Sequence, residues 1–551
     1  MNVADKFFRP ANPHRLHALA IGFALLAWAA APEVYAAAID VGNDDVKLRW
    51  DNTVKYSAAF RTAGRSQDVL AAYNPNLDDG DQNFDRGLVS NRLDLLSELD
   101  FVYQENVGFR VSGAAWYDSV YNKSNDNPGF AAGAVPNQLS VGPNQFTRAT
   151  RRLEGRDAEV LDAFVFGKGH LGDVAVSGRA GKHTLLWGES LFFGDNGIAG
   201  GQAPVDYIKL LSVPGSQFKE VIRPVDQVSG QVQLSSTLSV GAYYQLEWQP
   251  NRIPAVGSYL SRSDIFDTGG EQIYLPPQLG GTVPRIGDLR AKDSGQGGVQ
   301  LRWRSEALDT DFGFYAIRFN DKNFNVYLQP GVDYRLVYHN GVRAFGASAS
   351  RSFGSYNVAA EMSVRRNEAL VGTGGLEVDP TGTGNNTDNP LYPVGSSTHG
   401  QVSVIHTLER FPLWDGGLFL AELAWNHRDG VTKNAAALDP NATRDAIGFR
   451  MLLAPTYYQA LPGIDLTVPF GLGWNPRGRS SVIPLFNGGW SKGADLSTGL
   501  NFEYDQTWKG GLTYTTYFGK AGGVLDAHGN FTFAQSLKDR HFVALSVQRT
   551  F

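Results

Sequence analysis

Leu238-Ser239-Val240-Gly241-Ala242-Tyr243-Tyr244-Gln245-Leu246-Glu247-Trp248-Gln249 decides the fold class. Leu238, Val240, Ala242, Tyr244, Leu246 and Trp248 alternate with Ser239, Gly241, Tyr243, Gln245, Glu247 and Gln249. A period of two is a strand with a different environment on each face. The run exceeds the globular mode of about 5–6 residues and approaches the length that crosses a bilayer at a tilt. Aromatics sit near the ends of such runs, at Trp248, Trp474 and Tyr504, where an interfacial girdle wants them.

The same alternation recurs outward in both directions. Leu93, Leu95, Leu99, Phe101 and Tyr103 oppose Arg92, Asp94, Glu98, Asp100 and Gln104. Ile464, Leu466, Val468, Phe470, Leu472 and Trp474 oppose Asp465, Thr467, Gly471 and Asn475. Strands are predicted near 46–61, 91–104, 107–121, 157–167, 172–187, 226–236, 237–249, 296–306, 310–321, 341–353, 356–367, 399–409, 416–429, 445–459, 463–475, 494–507, 510–521 and 540–551. Residues 157–167, 310–321 and 341–353 alternate poorly, Pro455 and Pro469 fall inside strands, and an alternative reading of Asn340-Gly341 as a tight hairpin turn would add a strand around 333–339. Short links such as Gln104–Asn106 and Gly354-Ser355 alternate with long ones rich in Gly, Asn, Asp and Pro. Hydrocarbon tolerates no open sheet edge. The reading is therefore all-β: one closed antiparallel transmembrane barrel of about eighteen strands (about 16–20), with long extracellular loops and short periplasmic turns. An even count puts both termini in the periplasm.

Composition agrees. With 63 Gly, 12% aromatics and no Cys among 551 residues, disulfide scaffolds, thiolate metal sites and cysteine nucleophiles are excluded. A net charge of −6 offers no surplus to neutralise phosphates, so nucleic acid is not an expected partner. Residues 1–36 read as a signal peptide: Lys6, Arg9 and Arg15, an apolar run from Leu16 to Ala31, then Val34-Tyr35-Ala36 before a cleavable Ala36–Ala37 bond. Residues 37–551 are then the barrel of a Gram-negative outer membrane. The final strand carries Val543, Leu545, Val547 and Phe551 on one face, a terminal Phe suited to the barrel assembly machinery, with Arg549 as the odd residue there.

Three stretches carry a family likeness. They are Asn76-Leu77-Asp78-Asp79-Gly80-Asp81 followed by Leu93 to Asp100, then Gly113-Ala114-Ala115-Trp116-Tyr117-Asp118, and Gly181-Lys182-His183-Thr184-Leu185-Leu186-Trp187-Gly188-Glu189-Ser190 with Pro214-Gly215 and Pro224-Val225 downstream. With these the chain resembles the proteobacterial family called domain of unknown function 1302. The resemblance implies an outer-membrane barrel, often encoded beside a periplasmic or lipoprotein-like partner and an inner-membrane pump of the resistance-nodulation-division type, and so traffic in hydrophobic compounds. It carries over no catalytic residues.

Catalytic, cofactor and metal sites are not predicted. Ser403 and His406 have opposite parity on one strand, and His183 reads as a lumen side chain. Asp78, Asp79, Asp81 and Asp85 offer hard oxygens of the kind calcium takes, without the spacing of an EF-hand loop; a solvated turn is the first reading and a calcium-binding loop the alternative. The predicted lumen is mixed in sign: Asp94, Glu98, Asp118, Glu247, Asp465, Asp495 and Glu503 against Arg92, Arg110, Arg179, Arg302, Arg304 and Arg365. The functional prediction falls on residues 188–225. Phe192, Phe193, Tyr207 and Phe218, among others, make this loop too apolar to be left exposed. It is expected to fold into the lumen as a constriction, with Glu189, Asp195, Asp206, Lys209, Lys219 and Arg223 anchored to lumen charges such as Arg179 and Glu98, near Asp94 and Arg110. The expected function is a channel for hydrophobic or amphipathic small molecules, with lipid, lipopolysaccharide and a periplasmic or inner-membrane partner in contact. The rivals are a diffusion porin for polar solutes and a plugged structural or surface-binding barrel.

Overall fold

A computed structural model describes residues 37–70, 75–266, 268–277, 281–526 and 528–551. Ala36 and the rest of the proposed signal peptide lie outside the described residues, and Ala37 is the first within them. The wall strands are β1 (Val46–Arg61), β2 (Gly87–Tyr103), β3 (Val107–Asp118), β4 (Arg156–Leu171), β5 (Val174–His183) and β6 (Val225–Gln233). They continue as β7 (Leu238–Gln245), β8 (Gln296–Ser305), β9 (Thr310–Phe319), β10 (Val342–Phe353), β11 (Tyr356–Ala369) and β12 (Val394–Leu408). The circuit ends with β13 (Gly416–Lys433), β14 (Asp445–Leu461), β15 (Ile464–Thr467 with Phe470–Gly478), β16 (Ala494–Tyr504), β17 (Trp508–Phe518) and β18 (Phe542–Thr550).

Each strand pairs antiparallel with the next, and β18 returns to β1 in the register Thr53↔Thr550 to Arg61↔Phe542. The barrel is thus closed with 18 strands. Phe551 extends the seam: Asn52 and Phe551 exchange main-chain hydrogen bonds of 2.8 and 2.9 Å. Ala37–Ile39 then pairs with Leu48 to Trp50, covering the remaining edge of β1. Closure pairs the first strand with the last, as hydrocarbon requires of a sheet edge.

One end carries tight turns. Gln104 and Glu105 have φ of 46° and 59°, and Asp505 and Gln506 have 50° and 54°. Positive φ at both central residues is the primed turn whose twist matches paired strands. The outer face is apolar, with Leu95, Val160, Val165, Val299, Phe345, Met362, Val402, Leu423, Leu500 and Leu512 exposed. Two aromatic rings bound it. Trp50, Tyr103, Trp303, Phe353, Tyr356 and Tyr504 stand toward the turn end, and Tyr117, Tyr244, Trp474 and Phe518 toward the loop end. Arg549 shares the turn-end ring: its guanidinium lies 5.3 Å from the Trp508 ring, on the residue directly across the ladder. An aromatic face and an interfacial position explain a cation where an apolar residue was expected.

Several boundaries move. β7 stops at Gln245, so Trp248 leaves the wall and is buried against Tyr338 and Arg290 instead of standing in a girdle. The poor alternation of β4 has a cause: Val111 pairs with Ala163 but Gly113 with Val160, a bulge that breaks the period. Pro469 splits β15, whereas Pro455 is kept inside β14 opposite Gly417. The strand suspected around 333–339 exists as Asp333–Val337 but is not in the wall. It pairs with Asn325–Gln329, which in turn pairs parallel with Leu376–Val378. With the ribbon Gln272–Tyr274/Thr282–Pro284 it forms a cap on the loop end. Trp248, Ile265, Ile273, Val283, Val326, Leu328, Tyr334 and Leu336 are its apolar core.

Candidate functional site across the lumen

Between His183 and Val225 the chain leaves the wall for residues 184–224. Two inward carboxylates hold the first part. Glu361 on β11 accepts the main-chain N–H groups of Glu189 at 2.8 Å and Ile198 at 2.7 Å. Glu422 on β13 accepts those of Leu191, Phe192 and Phe193 at 3.1, 2.5 and 3.0 Å through a single oxygen, and its second oxygen accepts from the Ser190 hydroxyl at 3.2 Å. Hydrogen bonds to a charged acceptor are worth about 1.5–3 kcal/mol each, more than neutral ones. Gly188 permits the approach. Its φ is 94°, and a Cβ there would lie 2.1 Å from the Glu361 carboxylate. Arg365 on β11 donates to the carbonyls of Asp195 and Gly197 at 2.7 and 2.9 Å while pairing with Glu368.

The second part reaches the opposite wall. The helix Tyr207–Ser212 is capped by Asp206, whose carboxylate accepts the Lys209 N–H at 3.0 Å and pairs with Arg252 at 2.7 Å. Lys209 and Arg252 meet Glu159 of β4 at 3.3 and 2.7 Å. Lys219 is ion-paired with Glu98 of β2, which Arg110 also contacts. Lys55 of β1 lies 4.0 Å from Glu220.

Apolar side chains of the segment bury against the lumen face. Trp187 and Ile198 pack with Tyr243, Tyr315, Ile317, Phe319, Val342 and Ala344, all inward residues of β7, β9 and β10. Phe193 packs on Phe486 with ring centroids 5.4 Å apart, and Phe192 lies beside it. Toward the turn end, inward-facing Gln231 and Arg302 are exposed.

The remaining residues singled out in the sequence fall as follows. Tyr207 donates to Asp195 at 2.5 Å, and burial pushes its hydroxyl pKa well above the ordinary value. Arg223 donates to the Pro250 carbonyl at 3.0 Å, and burial lowers its pKa to about 10. Asp94 pairs with Arg92 at 2.8 Å on β2. Arg179 lies over the Phe164 ring at 5.6 Å; an arginine that does hold the segment is Arg365 of β11. Phe218 lies in the helix Phe218–Val221, and its side chain is outside the described residues. Lys322, which the sequence did not flag, donates to the Gly201 carbonyl at 2.8 Å, and burial lowers its pKa to about 8. Glu361, Glu422 and Glu159 were likewise missed. Their only sequence signal is a carboxylate on the inward parity of a strand.

The residues weighed for chemistry are held in structural roles. His183 bonds through both ring nitrogens, to the Gly181 carbonyl at 2.9 Å and the Ser229 hydroxyl at 2.8 Å. Ser403 reaches Glu189, while His406 stacks on Tyr356 at 3.8 Å on the other face. The turn at 78–81 is not solvated: Asp79 and Asp81 are buried, and Asp81 pairs with Arg61 at 2.6 Å and Arg540 at 3.0 Å.

Wall, girdles and occluded lumen define a transmembrane β-barrel of the outer-membrane class. The chain belongs to the family described as protein of unknown function (DUF1302), which matches residues 17–551. No curated protein matches it. Among solved structures it is similar to Acinetobacter baumannii OccAB1, at 9% identity over 92% of this chain and 96% of that one, with a TM-score of 0.41. It is also similar to Pseudomonas aeruginosa OpdK with vanillate, at 10% identity over 92% and 98%, TM-score 0.39. A third is the Acinetobacter baumannii outer-membrane channel DcaP, at 9% identity over 94% and 100%, TM-score 0.38.

Proposed function

We propose that this protein is an outer-membrane channel for hydrophobic or amphipathic small molecules, with residues 184–224 as its gate. The observation that carries the reading is the pair of inward carboxylates, Glu361 and Glu422, that hold five main-chain N–H groups of the segment. Because those five bonds converge on two side chains, loss of either carboxylate frees several of them at once. Behind it lies a wall of Tyr243, Tyr315, Ile317 and Phe319. Barrel interiors are ordinarily polar, so an aromatic inward wall favours a greasy solute over the polar solutes of a diffusion porin. In this reading the short turns and both termini face the periplasm, the loops meet lipopolysaccharide, Phe551 is read by the barrel assembly machinery, and the turn end receives a periplasmic partner linked to an inner-membrane pump.

Deletion of 191–213 tests it. In planar bilayers the deleted barrel is expected to conduct more than the parent, and cells carrying it to become more sensitive to hydrophobic antibiotics. Unchanged conductance and permeability in a barrel that keeps its heat-modifiable mobility would remove the gate. A rise in conductance without any change for hydrophobic compounds would favour the porin.

A further inference from the structure

The loop end brings together three carboxylates that are distant in sequence. Asp78 and Asp79 open the short helix Asp79–Gln82, and Asp264 arrives from the link between β7 and β8. One oxygen from each lies within 4.8 Å of the others. Asp79 and Asp264 are 2% and 0% exposed.

Their hydrogen bonding is one-sided. Asp78 Oδ2 accepts from Gln82 at 3.2 Å, Asp79 Oδ2 from the Asn137 main chain at 3.0 Å, and Asp264 Oδ2 from the Asp79 main chain at 3.1 Å. The three Oδ1 atoms are buried with no hydrogen-bond donor. Oδ1 of Asn137, a buried residue whose main-chain N–H is the one that bonds Asp79, is also without one. The nearby cations are committed elsewhere: Arg61 and Arg540 pair with Asp81 and Asp539 at 2.6 to 3.5 Å. Two buried carboxylates and a half-buried one, with three orphaned oxygens between them, are costly unless a positive charge joins them.

We propose that Asp78, Asp79 and Asp264 form a calcium site, with Asn137 Oδ1 as a neutral fourth oxygen. All the donors are hard oxygens, which suits calcium or magnesium rather than a softer metal. Calcium takes oxygens at about 2.3–2.6 Å, so ligands across the ion stand up to roughly 5 Å apart, whereas magnesium at about 2.0–2.1 Å requires a tighter set. The ion would join three links: 62–86 through Asp78 and Asp79, 119–155 through Asn137, and 246–295 through Asp264. The packing there is already close, since a Cβ on Gly80 would lie 2.7 Å from the Ser258 carbonyl. Calcium would thus lock the cap. It would hold it at the concentrations of about 10⁻⁴–10⁻³ M typical of extracellular sites.

The test is calorimetric titration of the purified, lipopolysaccharide-free barrel with calcium chloride after EDTA treatment and its removal. One site per chain is expected, lost in both Asp79→Asn and Asp264→Asn, with magnesium binding at least about tenfold more weakly. Protease digestion of the wild type supplies a readout independent of the variants: calcium should slow cleavage within 246–266 relative to EDTA. Absence of calcium binding to the folded wild type, equal magnesium affinity, or binding retained in both variants would each overturn the proposal, leaving carboxyl groups that stay protonated.

Discussion

Glu98 and Glu361 stand on β2 and β11, half the circumference of the barrel apart, and one segment binds both. Lys219 pairs with Glu98, while the amides of Glu189 and Ile198 bond to Glu361. Residues 189–219 therefore cross the lumen anchored to charged groups at both ends, with apolar packing between. A carboxylate that holds main-chain N–H groups is a stronger tether than an exposed ion pair, which is worth about 0–1 kcal/mol.

Glu422→Ala should loosen this crossing. It strands three consecutive N–H groups, at a cost of about 3 kcal/mol once partial rehydration offsets the loss. The expected record in planar bilayers is a higher mean conductance with frequent transitions, in a barrel of normal heat-modifiability. Lys219→Ala at the other end should have a smaller effect. If the two variants are indistinguishable from the parent, the tether does not control passage.

Topology is checked with protease on intact cells. The links 122–156 and 250–295 should be nicked, and the turn at Gln104–Asn106 should survive until the outer membrane is opened. Cutting at that turn in sealed cells would reverse the orientation.

Deletion of Phe551 removes both hydrogen bonds to Asn52 and exposes part of the edge of β1. Immunoblots of fractionated cells should show less protein in the outer membrane and normal passage across the inner membrane. Arg549→Ala, which loses the Trp508 contact on the outer face, should have the milder effect.

Glu377 gives the cap a pH dependence. It is buried in the ribbon Leu376–Val378, and burial raises its pKa from the ordinary carboxyl value to about 8. A carboxyl raised on folding stays protonated in the folded cap while the opened state ionises. Stability is therefore highest below the ordinary value, falls as pH rises, and levels above about 8. The loss amounts to about 5 kcal/mol by pH 9. Hydrogen exchange of 325–337 should quicken over that range beyond its intrinsic base dependence. Glu377→Gln should abolish the excess.

The parity of alternation is local, so it reads directly as strands, and β1 to β18 lie close to where it placed them. It fails where geometry is set by a neighbour. The bulge opposite Val111 scrambles β4, and the end of β7 at Gln245 sends Trp248 into the cap. The strand at 333–337 was visible, but its partners at 325–329 and 376–378 were not.

The chain's own order of residues determined the wall, its closure through Phe551 and the apolar character of 184–224, because each follows from side chains within one strand or one link. Tertiary structure alone decided what that link touches. Parity says that Glu361 and Glu422 face inward, but not that the amides of residues 189–198 arrive there, more than 160 positions away in the chain. The meeting of Asp79 with Asp264, 185 positions apart, is of the same kind. Both depend on loops finding room inside or above a closed barrel, and that room exists only once all the strands have paired.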